Sequence, residues 1–186
     1  RGDTVRVLDN FSSGKHENLE EIQASIEVLE GDIRDAALCS PACEGMEAVL
    51  HHAAIGSVEQ SMQDPLTTHK VNVEGTLNLL LSARERGVRR FVFASSSAVY
   101  GDGPEEVKDE SLPSRPLSPY AASKLAAESY TNVFARAYGL EAVSLRYFNI
   151  FGPRQDPNSM YSAVVPRFAA LLLECKRPTI FGDGEQ

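Results

Sequence analysis

Phe91-Val92-Phe93-Ala94-Ser95-Ser96-Ser97 is an apolar run that ends abruptly in three hydroxyls. Aromatic and β-branched residues in so short a stretch read as a buried strand, here 90–94. In open α/β sheets ligands bind beyond the carboxyl ends of strands, so the three serines stand where a ligand would approach. A serine-rich turn is the other reading of the same residues, and the surrounding sequence has to decide between them.

Four more strand-like runs, at 4–8, 26–29, 48–52 and 142–146, alternate with helix-like stretches. Such alternation indicates a parallel sheet covered by helices, a doubly wound α/β fold. A helix over 65–86 places Val71, Leu77, Leu80 and Leu81 near one face, and Gly87 ends it. A second helix starts after Ser118, which can cap it, with Pro119 in its first turn and Gly139 at its stop. Leu125, Val133 and Phe134 supply its apolar positions. No internal repeat or low-complexity segment interrupts the pattern.

On that second helix Tyr120 and Lys124 are four residues apart, so both project from one face within reach of one ligand. A neighbouring ammonium favours the phenolate of a tyrosine that otherwise titrates near ~10. A drop of ~3 units requires about 4 kcal/mol of differential stabilisation. Tyr120 could then exchange protons near neutral pH, with a serine of the 95–97 cluster sharing the proton. A packed ring beside a solvated amine is the plain alternative for two residues at this spacing.

Three strand ends carry further signals. Asp9 closes the first strand and is followed by Asn10-Phe11-Ser12-Ser13-Gly14; a carboxylate there can accept hydrogen bonds from an adenosine ribose and repel a 2′-phosphate, favouring NAD. Gly31-Asp32-Ile33 follows the second strand, where Asp32 could meet an adenine amine. Each is also an ordinary turn sequence. After the third strand comes His51-His52-Ala53-Ala54-Ile55-Gly56, whose small residues permit close backbone approach to a dinucleotide. Adjacent histidines on a strand point to opposite faces and cannot readily chelate one ion, so no metal site is expected.

The bulk numbers limit the partners. A chain of 186 residues buries roughly 70% of its unfolded surface and suits one domain with the start of another. With 42% apolar and 24% charged residues it has an ordinary globular balance. A net charge of -8 disfavours nucleic acid and anionic membranes as partners. No run reaches the roughly 20 apolar residues that span a bilayer. Cys39, Cys43 and Cys175 form an odd set without finger-like spacing, which reads as reduced thiols in a cytoplasmic protein.

Taken together, Ser95-Ser96-Ser97-Ala98-Val99-Tyr100-Gly101, Ser118-Pro119-Tyr120-Ala121-Ala122-Ser123-Lys124 and Arg146-Tyr147-Phe148-Asn149-Ile150-Phe151-Gly152-Pro153-Arg154 resemble three successive signatures of one family. It is the NAD-dependent epimerase/dehydratase family of extended short-chain dehydrogenases/reductases, and the resemblance spans essentially the whole chain. It implies a Rossmann-like NAD-binding domain over 1–150 and the beginning of a smaller substrate-binding part over 151–186. Catalysis would fall to Ser96, Tyr120 and Lys124. Ser96 is four residues before the tyrosine of Val-Tyr-Gly, with Ser97 the alternative. NAD would be held by Asp9 and Asn10 at the ribose, Asp32 and Ile33 at the adenine, Ala53 and Ala54 at the pyrophosphate side, and Tyr147 at the nicotinamide end, with Ser95, Tyr120 and Lys124 also among its contacts. The nucleotide sugar would meet Asn149 at its diphosphate, with Gly56, Ser57, Ser96, Tyr120 and Val165 on the substrate side. Asn72 resembles the family's structural asparagine beside the active site.

The family's glycine-rich phosphate loop, on the first strand-to-helix turn, has no counterpart here. The chain therefore reads as a piece of a longer protein, incomplete at both ends and lacking the first strand-helix unit. Relatives that dehydrate or decarboxylate sugars carry an acidic residue just after the catalytic hydroxyl. Ser97 and Ala98 stand there instead, which favours reversible oxidation at one carbon. The implied activity is 4-epimerisation of a UDP-hexose, plain or N-acetylated. UDP-glucuronate 4-epimerisation, another dehydratase or decarboxylase activity, and a non-catalytic nucleotide-binding fragment are the alternatives. The resemblance also implies a homodimer built through the 65–86 and 119–138 helices.

Overall fold

The computed structural model describes residues 2–155 and 164–180. They fall into two compact units that divide after Phe148. In the first unit, strands β1 (Val5–Asp9) and β2 (Ile26–Glu30) pair in parallel. Strands β3 (Ala48–His51), β4 (Arg90–Ser96) and β5 (Glu141–Tyr147) form a second parallel sheet in the order β3-β4-β5. All five strand expectations are met to within two residues at either end. The strands form two parallel sheets, with no ladder joining them among the described residues, in keeping with the α/β fold that the alternation indicates.

The helices are α1 (Ala36–Cys43), α2 (Val58–Gln63), α3 (Pro65–His69), α4 (Thr76–Glu85) and α5 (Pro119–Tyr138). Ser118 Oγ accepts from the Ala121 N–H at 3.1 Å and Pro119 occupies the first turn of α5, as the sequence suggests. Gly139 ends it at φ 71°, in the left-handed region, with its N–H on the Phe134 carbonyl. The single helix expected over 65–86 is broken by a π-helical turn, Lys70–Gly75, between α3 and α4. Such turns insert one residue into the ladder and are frequent at functional sites. Val133, one of the apolar positions named above, is exposed on α5, where the buried stripe runs through Ala127, Thr131 and Phe134.

The core lies between one sheet face and α1, α4 and α5. Phe91 and Phe93 of β4 meet Leu79, Leu80, Ala83, Ala127 and Phe134, and Ile33, Cys39 and Cys43 close the α1 end. Arg6 on β1 donates to the carbonyls of Pro41, Ala42 and Glu44, which satisfies groups the end of α1 leaves unpaired. On the opposite face Leu50, Val143 and Leu145 are exposed. Side chains alternate along a strand, so Phe91, Phe93 and Ser95 point into the helical layer while Ser96 points away from it.

The second unit contributes α6 (Val164–Leu173). Within it Asn149 and Val165 are both exposed. The strand expected at Phe181 lies outside the described residues.

Candidate active site

The reacting centre suggested by sequence sits where β4 ends and α5 begins. Ser96 is the last residue of β4 and caps the 3-10 turn Ser97–Tyr100, its hydroxyl oxygen accepting the Ala98 N–H at 3.1 Å. It is 9% exposed. Capping uses one lone pair of the hydroxyl and leaves its hydrogen for a second partner. Ser97 has already entered the turn, so Ser96 alone of the three combines the strand end with an outward direction.

Lys124 is buried at 4% exposure, and its ammonium donates to the Ala94 carbonyl at 2.9 Å, two residues before Ser96. The ammonium also lies 5.0 Å from the centre of the Phe93 ring. Burial pushes its pKa down to about 8. Tyr120, one turn earlier on α5, is partly buried, and its carbonyl accepts the Ser123 hydroxyl at 2.7 Å.

A buried polar chain braces this corner. Asn72, on the π turn, accepts from the Ile55 N–H at 2.8 Å and donates to the Ile55 carbonyl at 3.0 Å. Its amide donates as well to Ser123 Oγ at 2.9 Å. The loop after β3 is thereby fixed to the helix that carries Tyr120. Thr76 donates to the Asn72 carbonyl at 2.7 Å, so the His51 Nε2 hydrogen, 2.8 Å away, is donated to Thr76. Burial, with Lys124 and His52 nearby, pushes the His51 pKa down to about 3 and holds the ring neutral.

The remaining candidates divide. Asp9 lies at the end of β1 with Oδ1 accepting the Phe11 N–H at 2.7 Å. A Cβ on Gly14 would come within 3.1 Å of Oδ2, so glycine keeps space beside that oxygen. Asn10 donates to Asp32 Oδ2 at 2.9 Å and ties the two strand ends together. Arg34 donates to Asp32 through Nε at 2.9 Å, Nη2 at 2.7 Å and its own N–H at 2.9 Å. Those four donors fill the acceptor sites of one carboxylate and hold its pKa well below the usual range. The Ile33 side chain is in the core and its carbonyl accepts from Asn78, so only its N–H remains toward a ligand.

Ala53 and Gly56 are exposed and Ala54 half-buried after β3. Ser57 is buried as the cap of α2, accepting the Gln60 N–H at 2.9 Å, so its hydroxyl faces its own helix. The Ser95 hydroxyl donates to Glu128 at 2.7 Å on the helical side of the sheet, away from the strand-end face. Tyr147 ends β5 in register with Ser96, its ring centre 6.1 Å from that of His52. Sequence reasoning passed over Glu128 and its partner Arg146, whose pairing spans two elements and leaves no local spacing signal.

Among the described residues no group of three His, Cys, Asp or Glu side chains could hold a metal ion. No helix among them is long and apolar enough to cross a membrane.

Comparison with known proteins identifies the family. The solved UDP-N-acetylglucosamine 4-epimerase from Methanobrevibacter ruminantium, in complex with UDP-N-acetylmuramic acid, superposes with a TM-score of 0.92 at 41% identity, over 98% of this chain and 59% of that one. The UDP-glucose 4-epimerase of Thermus thermophilus in complex with NAD gives a TM-score of 0.85 at 43% identity, over 95% of this chain and 57% of that one. The UDP-glucose 4-epimerase of Mycolicibacterium smegmatis is 41% identical over 98% of this chain and 59% of its own length. A dTDP-glucose 4,6-dehydratase from Mycobacterium tuberculosis is 34% identical over 98% of this chain and 55% of its own. The chain thus spans somewhat over half the length of these relatives. The family profile described as NAD dependent epimerase/dehydratase matches residues 1–186, and the chain belongs to that family.

Proposed function

We propose that the protein catalyses NAD-dependent 4-epimerisation of a UDP-hexose, UDP-glucose and UDP-galactose or their N-acetylated forms, through a transient 4-keto sugar. The observation that carries this reading is the pairing of an outward Ser96 hydroxyl with an α5 helix whose Lys124 is buried against the same strand end. The nature of the relatives supports the UDP-sugar class.

The strand ends fit the cofactor. Asp9, acceptor-only with Oδ2 beside Gly14, suits a ribose diol, and Ala53 and Ala54 let backbone approach the pyrophosphate. Asn10 orients the pair of strand ends, Ile33 offers its N–H to the adenine, and Asp32 meets the adenine amine only by exchanging it for an Arg34 hydrogen. Tyr147, Tyr120 and Lys124 serve the nicotinamide end. When bound, NAD supplies a reversible acceptor for the hydride of the sugar carbon.

The protein's own residues handle the proton. Tyr120 takes the 4-hydroxyl proton, the Lys124 ammonium favours the phenolate, and Ser96 steadies the sugar oxygen as charge develops. Rotation of the keto sugar presents the opposite face of its carbonyl carbon, to which the hydride held by the cofactor would return while Tyr120 gives the proton back to the oxygen, and the carbon is thereby inverted. Family resemblance supports substrate roles for Gly56, for Asn149 and for Val165. Ser57 belongs to the same proposed set, since its cap on α2 occupies one lone pair and leaves the hydroxyl hydrogen.

Loss of water is disfavoured because Ser97 and Ala98 offer no acid, and Glu128, which accepts from Ser95, lies on the helical side in an ion pair. UDP-glucuronate 4-epimerisation uses the same proton path and is the second reading. We place the protein in the cytoplasm, consistent with Cys39, Cys43 and Cys175 all being free thiols.

The complete protein is a homodimer in this proposal. Met62, Leu66, Tyr130, Val133 and Tyr138 are exposed apolar residues on α2, α3 and α5, helices that pack on one another. Conversion of UDP-galactose to UDP-glucose by the complete protein tests the activity. Tyr120→Phe should abolish it with the fold intact, and undiminished turnover would remove Tyr120 from its role.

A further inference from the structure

The ion pair between Glu128 and Arg146 takes no part in the proton path, yet it is buried beside it. Side-chain exposure is 9% for Glu128 and 16% for Arg146. Glu128 Oε1 accepts from Arg146 Nη2 at 2.7 Å and Oε2 accepts from Nε at 3.1 Å. Oε2 also accepts the Ser95 hydroxyl at 2.7 Å, and the guanidinium carbon lies 4.6 Å from the centre of the Tyr100 ring. Arg146 Nη1, buried, has no hydrogen-bond partner among the described residues. A buried pair with one donor unmatched is costly to desolvate and adds little net stability, so its worth lies in the geometry it fixes.

That geometry is shared by every reacting residue of the first unit. Ser95 and Arg146 are register partners on β4 and β5, and Ser96 and Tyr147 are the next register pair. Alternation turns the second pair to the opposite face from the first. Glu128 lies one helical turn after Lys124 and two after Tyr120. A single carboxylate therefore holds β4 one residue behind Ser96, β5 one residue behind Tyr147, and α5 one turn behind Lys124. We infer that Glu128 and Arg146 are positioning residues, which set the direction of Ser96 and its distance from the Tyr120–Lys124 pair. This rests on the epimerase reading for its kinetic consequence but not for its structural one.

The test replaces both charges in the complete protein with apolar groups, Glu128→Leu with Arg146→Met, so that no lone buried charge unfolds it. Two quantities are followed: epimerisation of UDP-galactose and amide exchange through Ser96–Val99. Displacing a reacting group by an ångström costs up to about 100-fold in rate, so kcat should fall by about tenfold or more with KM within about twofold. Exchange of the Ala98 N–H, which reports the Ser96 cap, should quicken while β1 and β2 keep their protection. Unchanged Ala98 exchange or unchanged kcat overturns the inference. Faster exchange in a protein whose parent is inactive on every UDP-hexose supports the pinning and sinks the substrate reading instead. Should the double variant not fold, Glu128→Gln is measured in the same way, and the same outcomes decide.

Discussion

The Lys124 ammonium reaches across from α5 to donate to the Ala94 carbonyl at 2.9 Å, joining the helix that bears Tyr120 to the strand that ends in Ser96. Holding that charge inside the protein works against stability. Burial lowers its pKa to about 8, below its ordinary value, so the unfolded chain binds the proton more tightly from there up to the unfolded range. Stability from this group is therefore gained as pH rises above about 8 and withheld at neutral pH. Lys124→Met should raise the unfolding free energy measured by urea titration at pH 7 by roughly 1–3 kcal/mol, while lowering kcat by about 100-fold or more. A variant both less stable and fully active would contradict the assignment.

The same lysine sets an upper pH limit. Loss of its proton near pH 8 removes the ammonium charge on which the proposed proton path depends. A plot of log kcat against pH should bend downward near that value. In Lys124→Arg, which stays charged throughout, the bend should move alkaline even though overall turnover is lower.

His51 gives the opposite dependence at the acid end. Its ring is neutral inside the core with a folded pKa of about 3, so protonation favours the unfolded chain as pH falls below the ordinary histidine value. Stability from this group should decline as pH falls from about 6.5 to about 3. Denaturant midpoints at pH 7 and pH 5 should differ, and in His51→Gln the difference should shrink. An unaltered difference would place the acid sensitivity elsewhere.

Much of this arrangement is legible in the residues themselves, because strand ends and helix caps have local chemistry. The run from Phe91 to Ser97, Ser118 before Pro119 and Gly139 after Tyr138 each mark a boundary that the coordinates reproduce. The π turn at Lys70–Gly75 leaves no such mark, since apolar spacing reports which face is buried and not which carbonyl an N–H chooses. The Ser57 cap of α2 and the Ser95 bond to Glu128 are further contacts that residue type alone does not reveal. Val133 fits the apolar stripe by spacing and lies outside it by one helical position. Pairings such as Glu128 with Arg146 depend on how elements meet, and that is settled by packing.

Asn72 should prove costly to replace. Its side chain makes bonds to the Ile55 N–H, the Ile55 carbonyl and Ser123 from a site 1% exposed. Asn72→Leu is close in volume but leaves those groups short of partners, each worth about 1–3 kcal/mol when buried. A loss of roughly 2–4 kcal/mol in unfolding free energy is expected, since partial relaxation recovers some of the sum. Turnover should fall too, because the loop after β3 loses its link to α5. A loss under about 1 kcal/mol would show that the loop is held by other means.

The three consecutive serines offer the sharpest separation of roles, since alternation sends neighbours to opposite faces. Ser96→Ala removes the outward hydroxyl and should lower kcat by about 10- to 100-fold, while the lost Ala98 cap costs roughly 1 kcal/mol. Ser95→Ala removes the donor to Glu128 at 2.7 Å, so its larger effect should be on stability and its effect on kcat smaller than that of Ser96→Ala. Ser97→Ala, already within the 3-10 turn, should change neither by much. Steady-state rates and thermal melts on the three variants measure both quantities together. If Ser97→Ala instead shows the largest loss of turnover, the catalytic hydroxyl is one residue further along, and the outward direction of Ser96 is not what the reaction uses.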